Sequence, residues 1–309
     1  MKTTLPATPG CLRALALAGA LLLSGALASA QAAAAEAYAE GSVQAADGIR
    51  LHYVDNGRSG DAPVLVFVPG WGMDHTIWDA QLAAFGEGHR VLAMDPRSQG
   101  ASQHSGGGNT PEMRAGDIEA LLAARKLDKV VLIGWSQGVQ DVAAYVERYG
   151  TGRVAGLVLV DAAVSKGAAG AAANPQATQR FLQMMAVYAA HPREYLQGMM
   201  GAIFVQPLAP ERLKQRVEIA LRTPVSTGVA MLVADMYGVD RSGALKKFDR
   251  PTLIVAAAGS EELAAQKAAA AQVPGASLEV IADAGHGVFV DRPEAFNAAL
   301  REFLETLRR

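Results

Sequence analysis

Val130-Val131-Leu132-Ile133-Gly134-Trp135-Ser136-Gln137-Gly138-Val139 is the stretch on which the fold turns. Its first four residues are aliphatic without a polar break, as suits a strand covered on both faces. Gly134 to Gly138 then has the form G-x-S-x-G, the only such match in the chain, and a helical stretch from Val139 to Arg148 follows. Strand, sharp turn and helix in that order hold a serine out at a sheet edge in strained geometry. The two glycines remove side chains that would collide where strand and helix approach. Ser136 is therefore the candidate nucleophile. The N–H of Gln137 opens the helix, where amides lack intrahelical partners and the dipole favours negative charge. It is the candidate for one oxyanion donor.

Outward from this stretch, similar apolar runs recur at Val64 to Val68, Val91 to Met94, Leu157 to Val160, Leu253 to Ala257 and Leu278 to Ile281. Two further strands, Ser42 to Ala46 and Ile49 to Val54, are joined by Asp47-Gly48, a strong hairpin signal. Strands alternating with helical stretches predict an α/β fold with a doubly wound, mostly parallel sheet. Pro69-Gly70-Trp71-Gly72 follows the third strand, and the N–H of Trp71 there is the candidate second oxyanion donor. Between about Ser165 and Leu245 the strand signal stops, and stretches such as Gln179 to Ala190 and Pro210 to Arg222 read as helices. An insert at the carboxyl edge of a sheet is where a cap or lid belongs. Six of the ten methionines fall in it, Met184, Met185, Met199, Met200, Met231 and Met236, and they would make an adaptable apolar surface, some of it core.

A serine hydroxyl needs an adjacent base at neutral pH, usually a histidine. Of the six histidines, His286 alone combines a position just after the last strand, flanking glycines in Ala284-Gly285-His286-Gly287 and chain order after the serine. It is the candidate base. His52, His89, His104 and His191 lack that setting, and His75 near the Trp71 loop is placed for substrate contact at most.

The 309 residues carry a formal charge of -2 and no long run of either sign, which disfavours nucleic acid and anionic membranes as partners. A small molecule is the expected ligand. Lys2 and Arg13 lie ahead of or at the start of an apolar run from Leu12 to Leu27, and Ala28-Ser29-Ala30 closes it. This is the layout of a signal peptide over residues 1–30, with a retained anchor as the alternative. Residues 31–40 read as an alanine-rich tether and 41–309 as the folded domain. Export to the periplasm or beyond is expected. Cys11, the only cysteine, would leave with the signal peptide, so the mature chain would hold no disulfide, thiolate nucleophile or cysteine-bound metal.

From about residue 41 to the C-terminus the chain resembles the α/β-hydrolase superfamily, most closely its esterase and cofactor-free haloperoxidase-like branch. The resemblance is carried by Gly134 to Gly138, Pro69 to Gly72, Gly285-His286 with Phe289, Pro293 and Phe296, and Asp95-Pro96-Arg97-Ser98-Gln99-Gly100-Ala101-Ser102. The last is similar to the D-x-R-G-x-G-x-S loop of the family, with Ser98 in place of the usual glycine, a change that bears on the pocket wall. The resemblance implies an eight-stranded sheet with a helical cap. It also implies an acid after the seventh strand, but the loop following Pro251-Thr252-Leu253 reads Gly259-Ser260-Glu261-Glu262 and has no aspartate. Two candidates stay open. Asp161 ends the sixth strand at the correct edge, where the haloalkane dehalogenases carry their acid, and is preferred; Glu262 is the alternative, or Glu261 if the register slips.

A serine nucleophile argues against dehalogenase and epoxide hydrolase chemistry, whose enzymes use aspartate there. The expected reaction is hydrolysis of a carboxylic ester through an acyl-enzyme, with an apolar substrate suggested by Trp71, Trp135 and the methionines. No metal or organic cofactor is implied. Hydrolysis of a carbon–carbon bond or perhydrolysis on the same fold is an alternative, as is a binding protein with a degenerate site.

Overall fold

The computed structural model describes residues 38–308. The expected signal peptide and tether residues up to 37 lie outside them. The described residues form eight strands: β1 (Ala39–Gln44), β2 (Arg50–Asp55), β3 (Val64–Val68), β4 (Val91–Met94), β5 (Val130–Trp135), β6 (Val154–Val160), β7 (Thr252–Ala257) and β8 (Ser277–Ile281). They form one sheet in the order β1-β2-β4-β3-β5-β6-β7-β8. The β1–β2 hairpin and the β2–β4 pair are antiparallel, and every other pair is parallel. The first strand starts at Ala39, ahead of the expected Ser42, because Tyr38 docks there: its hydroxyl donates to the Leu82 carbonyl at 2.6 Å.

The central strands are buried along nearly their whole length, and their side chains divide by alternation. Leu65, Phe67, Val131, Ile133, Val158 and Val160 enter one apolar layer. Val66, Val68, Leu132, Leu157 and Leu159 enter the other. Helices α1 (Asp79–Phe85), α10 (Val288–Asp291) and α11 (Pro293–Thr306) cover the first face. Helices α2 (Pro111–Ala124), α3 (Gln137–Tyr149) and α9 (Leu263–Gln272) cover the second. Covering both faces is what allows continuous apolar strand sequences.

Between β6 and β7 the chain forms the insertion α4 (Gly167–Ala173), α5 (Pro175–Ala190), α6 (Pro192–Ala202), α7 (Pro210–Ala220) and α8 (Val225–Tyr237). Prolines that look like helix breakers in the sequence open α5, α6 and α7, where the missing N–H costs nothing. The insertion packs on the carboxyl edge of the sheet through Ile203 and Phe204. The Gly287 N–H donates to the Ile203 carbonyl at 2.9 Å, and a Cβ on Gly285 would stand 2.7 Å from that oxygen. A Cβ on Gly287 would fall on the Phe204 ring. The glycines beside His286 are thus needed for close docking of the insertion. Among the described residues no single helix is long and apolar enough to cross a membrane.

Candidate active site

Ser136 sits at the turn between β5 and α3 with φ of 55°. That left-handed conformation is unfavourable for a residue with a side chain, and the surroundings enforce it. A Cβ on Gly134 would overlap the Gly138 carbonyl, and one on Gly138 would stand 2.5 Å from the Val68 oxygen. Strand and helix meet too closely for any other residue. The Ser136 N–H donates to the Val160 carbonyl at 3.1 Å, which ties the turn to the next strand.

The Trp71 loop lies against this turn, since a Cβ on Gly70 would be 3.1 Å from Ser136 Cβ. Trp71 and Gln137 are buried, yet neither backbone N–H donates to a protein acceptor among the described residues. Two amides next to a serine, withheld from the protein's own hydrogen bonds, are free to receive an oxyanion. Trp71 also reaches the lid, where its Nε1 donates to the Gly228 carbonyl at 3.0 Å.

His286 is half-buried, and its Nδ1 lies 2.9 Å from Asp161 Oδ2. With the proton on Nδ1, Nε2 keeps its lone pair. Asp161 has φ of 44° just past β6, and its other oxygen, Oδ1, accepts from the Ala257 N–H at 2.9 Å and Gln266 Nε2 at 3.3 Å. Burial pushes its carboxyl up, but the hydrogen bonds from His286 and the Ala257 amide outweigh it and hold the pKa below the ordinary aspartate value. Glu262 takes a different role. Its Oε2 accepts from the Ala163 N–H at 2.7 Å, pinning the loop after β6, and it makes no hydrogen bond to His286. Burial leaves its pKa raised. Glu261 makes no hydrogen bond to His286 either. Of the open carboxylates, the structure brings Asp161 alone to the imidazole.

Ser136 and His286 line a cavity of about 240 Å³ together with Trp71, Trp135, Tyr195 and Phe181. No Asp, Glu, Lys or Arg lines it. Of the six lid methionines, Met184, Met185, Met199 and Met236 face this cavity, whereas Met200 and Met231 are core. Met73, just past the Trp71 loop, is a wall residue that the sequence reading overlooks, because nothing in its local pattern separates it from core. Trp135 is nearly fully buried and steadies the base: its Nε1 donates to the His286 carbonyl at 2.8 Å.

Ser98 does not reach the cavity wall. It has φ of 63°, which explains the glycine usual in such a loop, and its Oγ donates to Asn109 Oδ1 at 2.8 Å. His75 does not line that cavity either. Both His75 Nδ1 and His52 Nδ1 lie 2.9 Å from Asp95, one on each oxygen. His52, His75 and Asp95 are close enough to suggest a metal, but the Asp95 carboxylate already accepts from the His75 and Ala101 amides as well. These bonds make it a strand-end brace for the loop carrying Arg97.

A mostly parallel sheet with this strand order, a serine turn after β5, a histidine after β8 and a helical insertion after β6 defines an α/β-hydrolase. Residues 65–299 match the Alpha/beta hydrolase family, and the chain belongs to it. It is 41% identical over 123 residues to a non-heme chloroperoxidase of Streptomyces lividans, covering 40% of this chain and 44% of that one. It is 38% identical over 123 residues to the bifunctional esterase/perhydrolase DCH of Acinetobacter calcoaceticus, with coverage of 40% and 44%. The matched stretch thus spans less than half of either relative. A bromoperoxidase structure from Bacillus anthracis superposes with a TM-score of 0.77 at 23% identity, over 86% of this chain and all (100%) of that one, a likeness of fold.

Proposed function

We propose that the chain is a serine hydrolase of carboxylic esters with an apolar acyl group. Ser136 attacks the ester carbonyl while His286 Nε2 takes its proton, and Asp161 holds the imidazole tautomer and stabilises its charged form. The amides of Trp71 and Gln137 receive the oxyanion. The alcohol leaves with a proton from His286, and water activated by His286 then releases the acid from the acyl-enzyme. The observation that carries this reading is the joint placement of Ser136 and an Asp161-bound His286 on one cavity free of charged side chains. Similarity to the bifunctional esterase/perhydrolase supports a second reading, in which hydrogen peroxide replaces water as acyl acceptor.

An ester series tests the proposal. Each methylene buried from water contributes ~0.8 kcal/mol, so kcat/KM on p-nitrophenyl esters should rise about fourfold per added carbon until the cavity is full. A fluorophosphonate should label Ser136. A folded chain that neither hydrolyses the series nor takes the label rejects the reading.

Export belongs to the same proposal and rests on the N-terminal pattern of Lys2, Arg13, the Leu12 to Leu27 run and Ala28-Ser29-Ala30. N-terminal sequencing of protein from its native host should begin at Gln31 or a few alanines later. A chain that still carries Lys2 would overturn it.

A further inference from the structure

Helix α8 of the lid grips both residues assigned to the oxyanion amides, and from one face. Gly228 and Asp235 are seven positions apart, about two helical turns, so they stand one above the other. The Gly228 carbonyl accepts from Trp71 Nε1 at 3.0 Å, and Asp235 Oδ2 accepts from Gln137 Nε2 at 2.7 Å. A relay runs on from there. Gln99 Nε2 donates to Gln137 Oε1 at 2.9 Å, and the Gly72 N–H, next to Trp71, donates to Gln99 Oε1. One end of this relay is an ion-paired carboxylate and the other a backbone N–H. The first only accepts and the second only donates, so both glutamine amides between them have one consistent orientation.

On its far side Asp235 is clamped by charge. Its Oδ1 accepts from Arg114 Nη2, while Arg114 Nε donates to Asp141 Oδ1 at 2.8 Å and Nη1 to the Asn109 carbonyl at 3.0 Å. Gln99, Arg114, Gln137, Asp141 and Asp235 are all at most 4% exposed. None of the five lines the cavity. A buried ion network is a poor source of net stability compared with apolar packing. What this one supplies is fixed spacing between the Trp71 loop and the Ser136 turn.

We propose that Asp235 is a positioning residue of the oxyanion hole: seated on the lid, it sets through Gln137 and Gln99 the placement of the two amides that receive the developing charge. The inference rests on the serine hydrolase reading above. It makes lid seating and oxyanion geometry a single event, because α8 cannot lift without releasing both tethers.

The test compares wild type, Asp235→Asn, Gln137→Met and the double variant on the best p-nitrophenyl ester. Removal of an oxyanion donor costs about 10²–10³ in kcat, so loosening one should cost about 30-fold, with KM changed less than about threefold. Affinity for a trifluoromethyl ketone, which forms the tetrahedral oxyanion adduct, should fall by the same factor. Affinity for the matching methyl ketone, which forms none, should hold. Because Asp235 acts through Gln137, adding Asp235→Asn to Gln137→Met should cost less than about twofold more. If Asp235→Asn does not fold, Gln137→Met alone decides: a tenfold or greater kcat loss with wild-type melting supports the proposal. A kcat within twofold, or losses in the two variants that simply multiply, overturns it. A folded wild type inert to both esters and fluorophosphonate instead removes the underlying hydrolase reading.

Discussion

Ser136→Ala is expected to lower turnover of the preferred ester by about a million-fold while the fold stays intact. In the proposed mechanism the loss is large because Ser136 Oγ carries the acyl group: without it no covalent intermediate forms, and His286 has no hydroxyl to activate. The remaining rate comes from substrate binding beside the Trp71 and Gln137 amides, about 10³–10⁴ above the uncatalysed reaction in comparable triads. Structural damage should be small, since alanine at φ of 55° carries the same kind of backbone strain as serine and the Ser136 N–H bond to Val160 is kept. Purified wild type and variant, matched by melting temperature, would be compared under single-turnover conditions. Activity within a hundredfold of wild type would reject Ser136 as nucleophile.

Asp161→Asn should lower kcat by about 10⁴, and Glu262→Gln by less than about threefold. The asparagine has nearly the same shape, and its carbonyl can still accept from the Ala257 amide, so the end of β7 keeps its cap. If its NH₂ then faces His286 it becomes a donor, so Nδ1 must accept and the proton moves to Nε2. The lone pair needed to receive the serine proton is lost. Glutamine at 262 keeps an oxygen for the Ala163 N–H and removes a buried charge, so the brace survives. Stopped-flow measurement of acylation at equal folded concentration separates the two. A large kcat loss in Glu262→Gln with near-normal Asp161→Asn would reverse the assignment of the acid.

The strand runs were legible because a strand buried on both faces has few polar alternatives at any position. Val64 to Val68 and Val91 to Met94 agree with the sequence to the residue, and Val130 to Ile133 extends only by Gly134 and Trp135. Strand ends facing solvent or loops drifted, as at Ala39, where the docking of Tyr38 on Leu82 carries no sequence signature. The lid was legible as helical, but which of its methionines face the cavity was not. Met184 and Met185 both line it while Met231 and Met200 are core, a division that depends on how five helices tilt against the sheet.

The Asp235 relay was invisible for a related reason. Gln99, Arg114 and Asp235 come from three separate segments and Gln137 and Asp141 from a fourth, α3, and only burial distinguishes them from ordinary polar residues. A charged residue set within apolar helix sequence, such as Asp235 in Val225–Tyr237, is the one local hint.

By itself the sequence determined the mostly parallel sheet, the serine turn after β5 and the chain order of Ser136 before His286, because local periodicity, glycine placement and strand burial are short-range properties. Only the tertiary structure decided which carboxylate meets the imidazole. Asp161 directly follows β6, and Glu262 lies five residues past the end of neighbouring β7, at the start of α9; the choice rests on side-chain direction at positive φ for Asp161 and on the Ala257 and Ala163 amides that claim each carboxylate. Those are contacts across 96 and 99 residues of chain, which no local pattern encodes.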